Sequence, residues 1–269
     1  MPILPTEPRR RATLIAAAVA VVCAGAVAFV ALGPLSAAPA PTPTRSVAAS
    51  ATPTPTATPG PTRSAGPTDA VDAPASTTVA AVRGDSVPVS STPGGTATTT
   101  LSNPQQSGAP LVFRVVDQED GWAQVQLAQR PNGSTGWVPT SAVTLTEDPY
   151  AIVVTRAENT LDLYKDGKVV DSYPVATGTG GTPSPTGRFA LTELLAPTNS
   201  GYGPYAYGTT AFSDVLNSFG GGPGQIGLHG TDDSSSIGTA ASHGCIRMHN
   251  ADISALAELL PLGTPFQVR

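Results

Sequence analysis

Ser242-His243-Gly244-Cys245-Ile246-Arg247-Met248 gathers more reactive chemistry than any other stretch of this chain. It contains one of the two cysteines, and the other, Cys23, lies in an apolar N-terminal run. A second His-Gly pair, His229-Gly230, precedes it. A thiol, an imidazole and a glycine that lets backbone N–H groups come close are the parts of a cysteine acyl-transfer site. The thiolate is the attacking species, and a free thiol with a pKa near ~8.5 is mostly protonated at neutral pH. An imidazole beside it can take the proton and later return it to a leaving amine. His229 and His243 are both candidates. On a strand, His243 would share the side of Cys245, whereas a residue from another segment is freer to face the sulfur, which favours His229 as base. A backbone carbonyl, Asp232 or Asp233 would fix its tautomer. The N–H groups of Gly244 and Cys245 suit an oxyanion. Arg247 reads as an anchor for a substrate carboxylate, as electrostatic support, or as one half of a structural salt bridge. His229, His243, Cys245 and His249 also make a four-ligand zinc set on paper. The Cys-x-x-x-His spacing is loose and no second cysteine pair supports it, so neither a metal nor a cofactor is expected. His249, beside Asn250 at a helix start, reads as a surface or capping-region residue.

The compartment bears on how that thiol is read. Residues 12–32 carry no charge and follow Arg9-Arg10-Arg11. About twenty apolar residues span a bilayer, and the arginines would hold residues 1–11 in the cytoplasm. A transmembrane anchor is therefore expected, with the membrane as a partner through the N-terminal helix. The location that follows is the cell membrane, single-pass, with the C-terminal domains extracytoplasmic in the cell wall. The alternatives are secretion after cleavage of a signal peptide near Ser36-Ala37-Ala38 and twin-arginine export. Cys23 reads as a small apolar residue within the run. An exported remainder then holds a single cysteine, which cannot form an internal disulfide, and its neighbours favour a reactive role. A net charge of −5 gives no basic footprint, so nucleic acid is not an expected partner.

The elements that must position the site follow in order. Residues 33–77, dominated by Pro, Thr, Ala and Ser, lack the apolar residues to offset ordering entropy and read as a disordered, extended linker. Residues 78–146 read as short strands: Val87-Pro88-Val89, Leu111 to Val116, Trp122 to Leu127 and Gly136 to Pro139, with turns at Pro93-Gly94-Gly95 and Asn132-Gly133. In residues 149–269, Tyr150 to Val154 and Thr160 to Tyr164 alternate around Glu158-Asn159. Lys165-Asp166-Gly167-Lys168 is a hairpin turn, and Thr182 to Gly187 is a Pro-rich loop before a strand from Arg188 to Glu193. One helix is expected, capped by Asn250 and burying Ile253, Leu256, Leu259 and Leu260. The fold class is mostly β.

Two resemblances follow. Gly121-Trp122-x-x-Val125, Gly136-Trp137-Val138-Pro139 and Val143 resemble bacterial SH3-like domains, which implies a small β-barrel. Trp122 and Trp137 then read as core, and the domain as a spacer or a peptidoglycan-binding module. His229-Gly230-Thr231 followed by Ser242 to Met248 resembles the signature of L,D-transpeptidases with a YkuD-type catalytic domain, over about Tyr150 to Arg269. The resemblance implies Cys245 as nucleophile, His229 as general base, and the Gly230 carbonyl orienting His229. It further implies that His243 and Gly244 shape the oxyanion site, with Arg247 ordering it. The implied substrates are peptidoglycan stem peptides: Cys245 attacks the carbonyl of the third residue, a diamino acid, expels terminal D-alanine and forms a thioester. A side-chain amine of a neighbouring stem resolves it into a crosslink, and water would make the enzyme an L,D-carboxypeptidase. Acylation by carbapenems is implied as well. The Gly-rich run from Asn199 to Gly224 resembles the family's lid, which makes Tyr202, Tyr205 and Tyr207, with Ser242, the expected substrate-binding residues.

Overall fold

The computed structural model describes residue 71 and residues 73–269. The expected N-terminus, the span at 12–32 and most of the linker lie outside the described residues. One part of the expected fold class is corrected. No helix among the described residues is long and apolar enough to cross a membrane. The α-helix they contain has ten residues, about half of what a bilayer needs. The expected transmembrane helix, the membrane as a partner and the single-pass membrane location therefore have no support among the described residues.

Residues 77–148 form one seven-stranded antiparallel sheet. Its strands are β1 (Thr77–Val82), β2 (Ser86–Ser90), β3 (Ala97–Ser102), β4 (Val112–Glu119), β5 (Trp122–Gln126), β6 (Thr135–Pro139) and β7 (Val143–Asp148), in the order β3-β2-β6-β5-β4-β1-β7. The sheet is a curled half-barrel consistent with an SH3-like domain. Alternate residues turn inward because the side-chain period of a strand is two. Val87, Val89, Phe113, Val115, Ala123, Val125 and Val138 make one core. Trp137 is buried, whereas Trp122 is half-buried at the rim.

The second sheet has eight strands and holds the candidate site. It comprises β8 (Tyr150–Thr155), β9 (Thr160–Lys165), β10 (Lys168–Pro174), β12 (Gly187–Leu195), β13 (Ala206–Phe212), β14 (Gln225–His229), β16 (Ile246–Arg247) and β17 (Pro265–Val268), ordered β10-β9-β8-β17-β12-β13-β14-β16. The short strands β11 (Thr177–Gly178) and β15 (Ala240–Ser242) pair in parallel beside it. Helix α1 (Asn250–Leu259) covers one face. The expected hairpins at Glu158-Asn159 and Lys165 to Lys168 are present, with Asn159 and Asp166 at positive φ. The helix departs from expectation in two ways. His249 is its N-cap and makes no side-chain cap. Ile253, Leu256 and Leu260 are buried, but Leu259 is exposed.

The core under this sheet joins Ile152, Leu161, Phe189, Leu228, Ile246 and Phe266 to the helix face. Tyr207 is fully buried, and its hydroxyl reaches the carbonyls of Leu256 (3.1 Å) and Leu260 (3.0 Å). The last carbonyls of a helix have no partner within it, so this hydroxyl seals the end of α1 against the sheet. The same burial raises the Tyr207 pKa.

The two sheets meet along β12 and the segment after β13. Gln126 Nε2 donates to the Arg188 carbonyl (2.6 Å), and Gln105 Nε2 to that of Thr192 (2.9 Å). Asn132 exchanges two hydrogen bonds with the Phe212 backbone, both 2.8 Å. Arg130 donates to the carbonyls of Ser213 (2.7 Å), Leu216 (2.9 Å) and Pro223 (3.2 Å), and its guanidinium stands 5.2 Å from the Phe212 ring centroid. One guanidinium thus ties both ends of the 213–224 loop.

Two outcomes follow. Tyr207→Phe removes the hydroxyl while keeping the ring, leaves the Leu260 carbonyl without this donor and the Leu256 carbonyl with only the Leu260 N–H, and lowers the unfolding free energy by about 1–2 kcal/mol in urea titration. An unchanged midpoint would mean the seal contributes nothing. Arg130→Ala speeds amide exchange across 213–224 by at least about tenfold, or ~1.4 kcal/mol of local opening, while β12 to β14 keep their protection.

Candidate active site

The site begins with a short piece of parallel pairing. Leu228 stands opposite Ile246 and His229 opposite Arg247. This register sets Gly227 beside Cys245. The Gly227 N–H donates to the Cys245 sulfur at 3.4 Å. A Cβ built on Gly227 would lie 3.9 Å from that sulfur and 3.5 Å from Cδ2 of His229. Thiol and imidazole therefore flank one small gap, and a glycine keeps that gap open.

His229 is 4% exposed. Its Nδ1 lies 2.6 Å from the Gly230 carbonyl oxygen. A carbonyl only accepts, so Nδ1 carries the hydrogen and Nε2 keeps its lone pair. The Tyr202 ring covers the imidazole at 4.6 Å between centroids. Burial drives the His229 pKa down to about 4. The bond to Gly230 opposes that shift, and the Arg247 charge reinforces it. Cys245 is partly exposed, yet burial pushes its thiol up, against the lowering effects of the Gly227 N–H and of Arg247. At neutral pH the resting pair is a thiol and a neutral imidazole.

The loop before Cys245 is held by internal hydrogen bonds. Ser242 is buried. Its hydroxyl donates to the Cys245 carbonyl (2.6 Å) and accepts from the Gly244 N–H (3.0 Å). Gly244 has φ 120°, a conformation that disfavours a side chain, and a Cβ there would meet Ile226. Ser184, from the Pro-rich loop, donates to the Gly244 carbonyl (2.7 Å) and accepts from the Gly178 N–H (2.9 Å). The Gly244 N–H is thus spent on Ser242. The Cys245 N–H has no hydrogen bond to any described residue and is the one of the two expected donors left for an oxyanion.

The expected residues divide in two groups. Cys245, His229, Gly230, Gly244 and Tyr202 lie together, with Arg247 close enough to act on both titrating groups. His243 points elsewhere: it is exposed and stacks on Phe219, 5.0 Å between centroids. Tyr205 is half-buried, and its carbonyl accepts from the Gly230 N–H (3.2 Å). Tyr207 lines the pocket that holds His229 and Cys245, but its side chain is buried and its hydroxyl is used on the helix end. The Ser242 hydroxyl is engaged within its own loop, by the Cys245 carbonyl and the Gly244 N–H.

Three contributors were not expected. Ser184 lies between two prolines and gives no chemical signal in sequence. Asn250 was read only as a cap, whereas its Oδ1 accepts from the Thr231 N–H (2.9 Å) beside the His229-Gly230 turn. Phe219 lines a pocket of about 340 Å³ that also takes in Glu193, Tyr202, Gly208, Gly227, His229 and Cys245. Among the described residues no group of three or more His, Cys, Asp or Glu side chains is arranged to hold a metal ion.

A family model for the L,D-transpeptidase catalytic domain, YkuD, matches residues 149–268. The putative L,D-transpeptidase YkuD of Bacillus licheniformis is 36% identical over 116 residues, 43% of this chain and 63% of that protein. Its Bacillus subtilis namesake is 38% identical over the same shares. The putative L,D-transpeptidase YqjB of Bacillus subtilis is 34% identical over 131 residues, 44% of this chain and 69% of that protein. The chain thus spans a little under two thirds of the length of the two YkuD relatives. Through its C-terminal sheet, with its His229 and Cys245 pair, the chain belongs to the YkuD family of L,D-transpeptidase catalytic domains.

Proposed function

We propose that this protein is a cysteine-dependent L,D-transpeptidase that crosslinks peptidoglycan stem peptides. The observation that carries the proposal is the shared gap over Gly227, with the sulfur on one side and an imidazole of fixed tautomer on the other.

The chemistry follows from the protonation states. A neutral thiol beside a neutral imidazole transfers its proton to Nε2 of His229 as Sγ attacks the carbonyl of the third stem residue. The proton does not leave in advance, because burial disfavours a free thiolate. The oxyanion that forms is taken by the Cys245 N–H, and the Gly227 N–H stays on the sulfur. Nε2–H then gives its proton to the departing D-alanine nitrogen as the C–N bond breaks, leaving a thioester on Cys245. An uncharged side-chain amine of a second stem attacks that thioester. Its proton passes through His229 to the sulfur, the C–S bond breaks, and an amide and a free thiol result. Water in place of the amine gives a carboxylate, an L,D-carboxypeptidase reaction. Arg247, close to both groups, favours sulfur charge as it develops and disfavours early protonation of His229. The Gly230 carbonyl holds the imidazole in the tautomer that leaves Nε2 available. His243, stacked on Phe219, shapes the loop above the pocket.

Incubation of the protein with a carbapenem, followed by intact mass measurement, gives a single covalent adduct that Cys245→Ala abolishes. His229→Ala slows that acylation by about 10²–10⁴-fold. An adduct that survives in Cys245→Ala would sink the proposal.

The lowered His229 pKa also sets a stability window. Its folded value is about 4 against an ordinary 6.5, so the unfolded chain binds more protons between those values. Stability from this group is complete above pH 6.5 and is lost as pH falls toward 4. Denaturant midpoints for the wild type fall across that interval more steeply than those of His229→Asn. Parallel curves would remove burial of a neutral His229 as the cause.

A further inference from the structure

Glu193, Gly208, Gly227 and Cys245 form one row across the sheet. The register pairs Glu193 with Gly208 and Gly208 with Gly227, and the β14 to β16 pairing puts Gly227 beside Cys245. Opposed residues in a sheet share a face. Both central members of the row are glycines. A Cβ on Gly208 would come within 2.7 Å of a Glu193 carboxylate oxygen and 2.8 Å of its Cγ. The Glu193 side chain therefore lies along the sheet over Gly208. The Gly227 end of the row faces the sulfur and the imidazole. Two glycines make a bare floor, with a carboxylate at one end and the thiol at the other. All four residues line the same pocket.

An irregularity in β12 puts Glu193 there. Leu191 pairs with Thr209, but Glu193 pairs with Gly208, so one extra residue sits between them. Without that bulge Glu193 would stand opposite Tyr207, on the face that carries the core. Bulges beside functional sites re-aim a side chain in this way. Glu193 is the sole carboxylate among the residues lining the pocket, and neither Lys nor Arg lines it. No hydrogen bond or ion pair to another described residue engages its carboxylate. A half-buried carboxylate with no partner among the described residues is a site for a cation from outside the chain. Strands are spaced ~4.8 Å apart, so carboxylate and sulfur stand roughly 5–10 Å apart across the floor. An amine on a four-carbon stem, measured from the carbonyl of its own residue, covers that distance.

We propose that Glu193 recognises a primary ammonium group on the peptide substrate, held over the two-glycine floor while the acyl carbon meets Cys245. The inference rests on the transpeptidase reading and names the chemistry by which that site selects its peptide. The ammonium belongs either to the donor residue under attack or to the incoming acceptor stem; in the second case it yields one proton through the Glu193 carboxylate to solvent before the neutral amine attacks the thioester.

The test uses the full chain and synthetic donor tetrapeptides ending in D-alanine, with lysine or its uncharged analogue norleucine at the third position. Thioester formation on Cys245 is followed by intact mass at varied donor concentration. Crosslinking of the norleucine acyl-enzyme to a lysine-bearing tripeptide is followed at varied acceptor concentration. If the ammonium is the donor's, the wild type acylates with the lysine donor at least about tenfold more efficiently than with norleucine, mainly through KM. Glu193→Gln brings the ratio to within about twofold, and Glu193→Asp keeps part of it. If the ammonium is the acceptor's, the two donors are equivalent and Glu193→Gln raises the acceptor KM about tenfold. Equal losses with both donors and an unmoved acceptor KM would show a merely structural Glu193 and overturn the inference. A wild type acylated neither by these peptides nor by an uncharged β-lactam overturns the transpeptidase reading and this inference together.

Discussion

The site depends on a parallel pairing only two residues long, Leu228 with Ile246 and His229 with Arg247. Parallel ladders need long crossovers and are slightly weaker per residue than antiparallel ones. A pairing this short does not hold its own register. The surrounding structure supplies what it lacks. The Met248 N–H donates to the His229 carbonyl, extending the ladder by one bond. Arg247 exchanges two backbone bonds with Ala176 on its other side. Ser242 and Ser184 fix the turn that enters β16, and Asn250 holds the segment after His229 through the Thr231 N–H. A slip by one residue would turn Cys245 to the opposite face, so these side-chain bonds guard the reaction geometry more than the total stability.

Burial and catalysis pull against one another in this arrangement. A dry pocket raises the thiol and depresses the imidazole, so neither group is charged at rest. Such a thiol resists ionisation, and in the proposed reaction its proton leaves for His229 only as the sulfur attacks. Arg247 supplies positive charge without lining the pocket, where it would compete with an incoming ammonium for Glu193. The same low dielectric that makes ionisation costly at rest strengthens the hydrogen bond from a fixed N–H to a developing oxyanion.

Much of the fold was legible because it rests on local signals. The alternation in β8 and β9, the Asp166-Gly167 turn and the helix after Asn250 were all readable from residue type and spacing. The Cys245 and His229 pair was readable because a thiol and an imidazole are rare, chemically loud residues. Side-chain direction was not legible. Tyr205 and Tyr207 look alike in a Gly-rich run, but Tyr207 turns inward to two helix carbonyls that exist only in the folded chain. Nothing local in the sequence says that the Gly244 N–H and the Cys245 carbonyl engage the Ser242 hydroxyl. Arg130, in the other sheet, reaches the 213–224 loop through contacts that no local pattern encodes.

Glu193 shows the limit most sharply. Read by alternation, it follows Leu191 onto the core face, where a carboxylate would be costly. A single extra residue in β12 reverses its direction, and a bulge of this kind leaves no composition mark. Only with the register known do Gly208 and Gly227 become neighbours, and only then does their shared lack of a side chain have a use. A substituent at Gly208 would meet the Glu193 carboxylate, and one at Gly227 would occupy the gap between sulfur and imidazole. The open floor is thus a property of the pair in register. It lets one strip of backbone carry a carboxylate and a thiol on the same face.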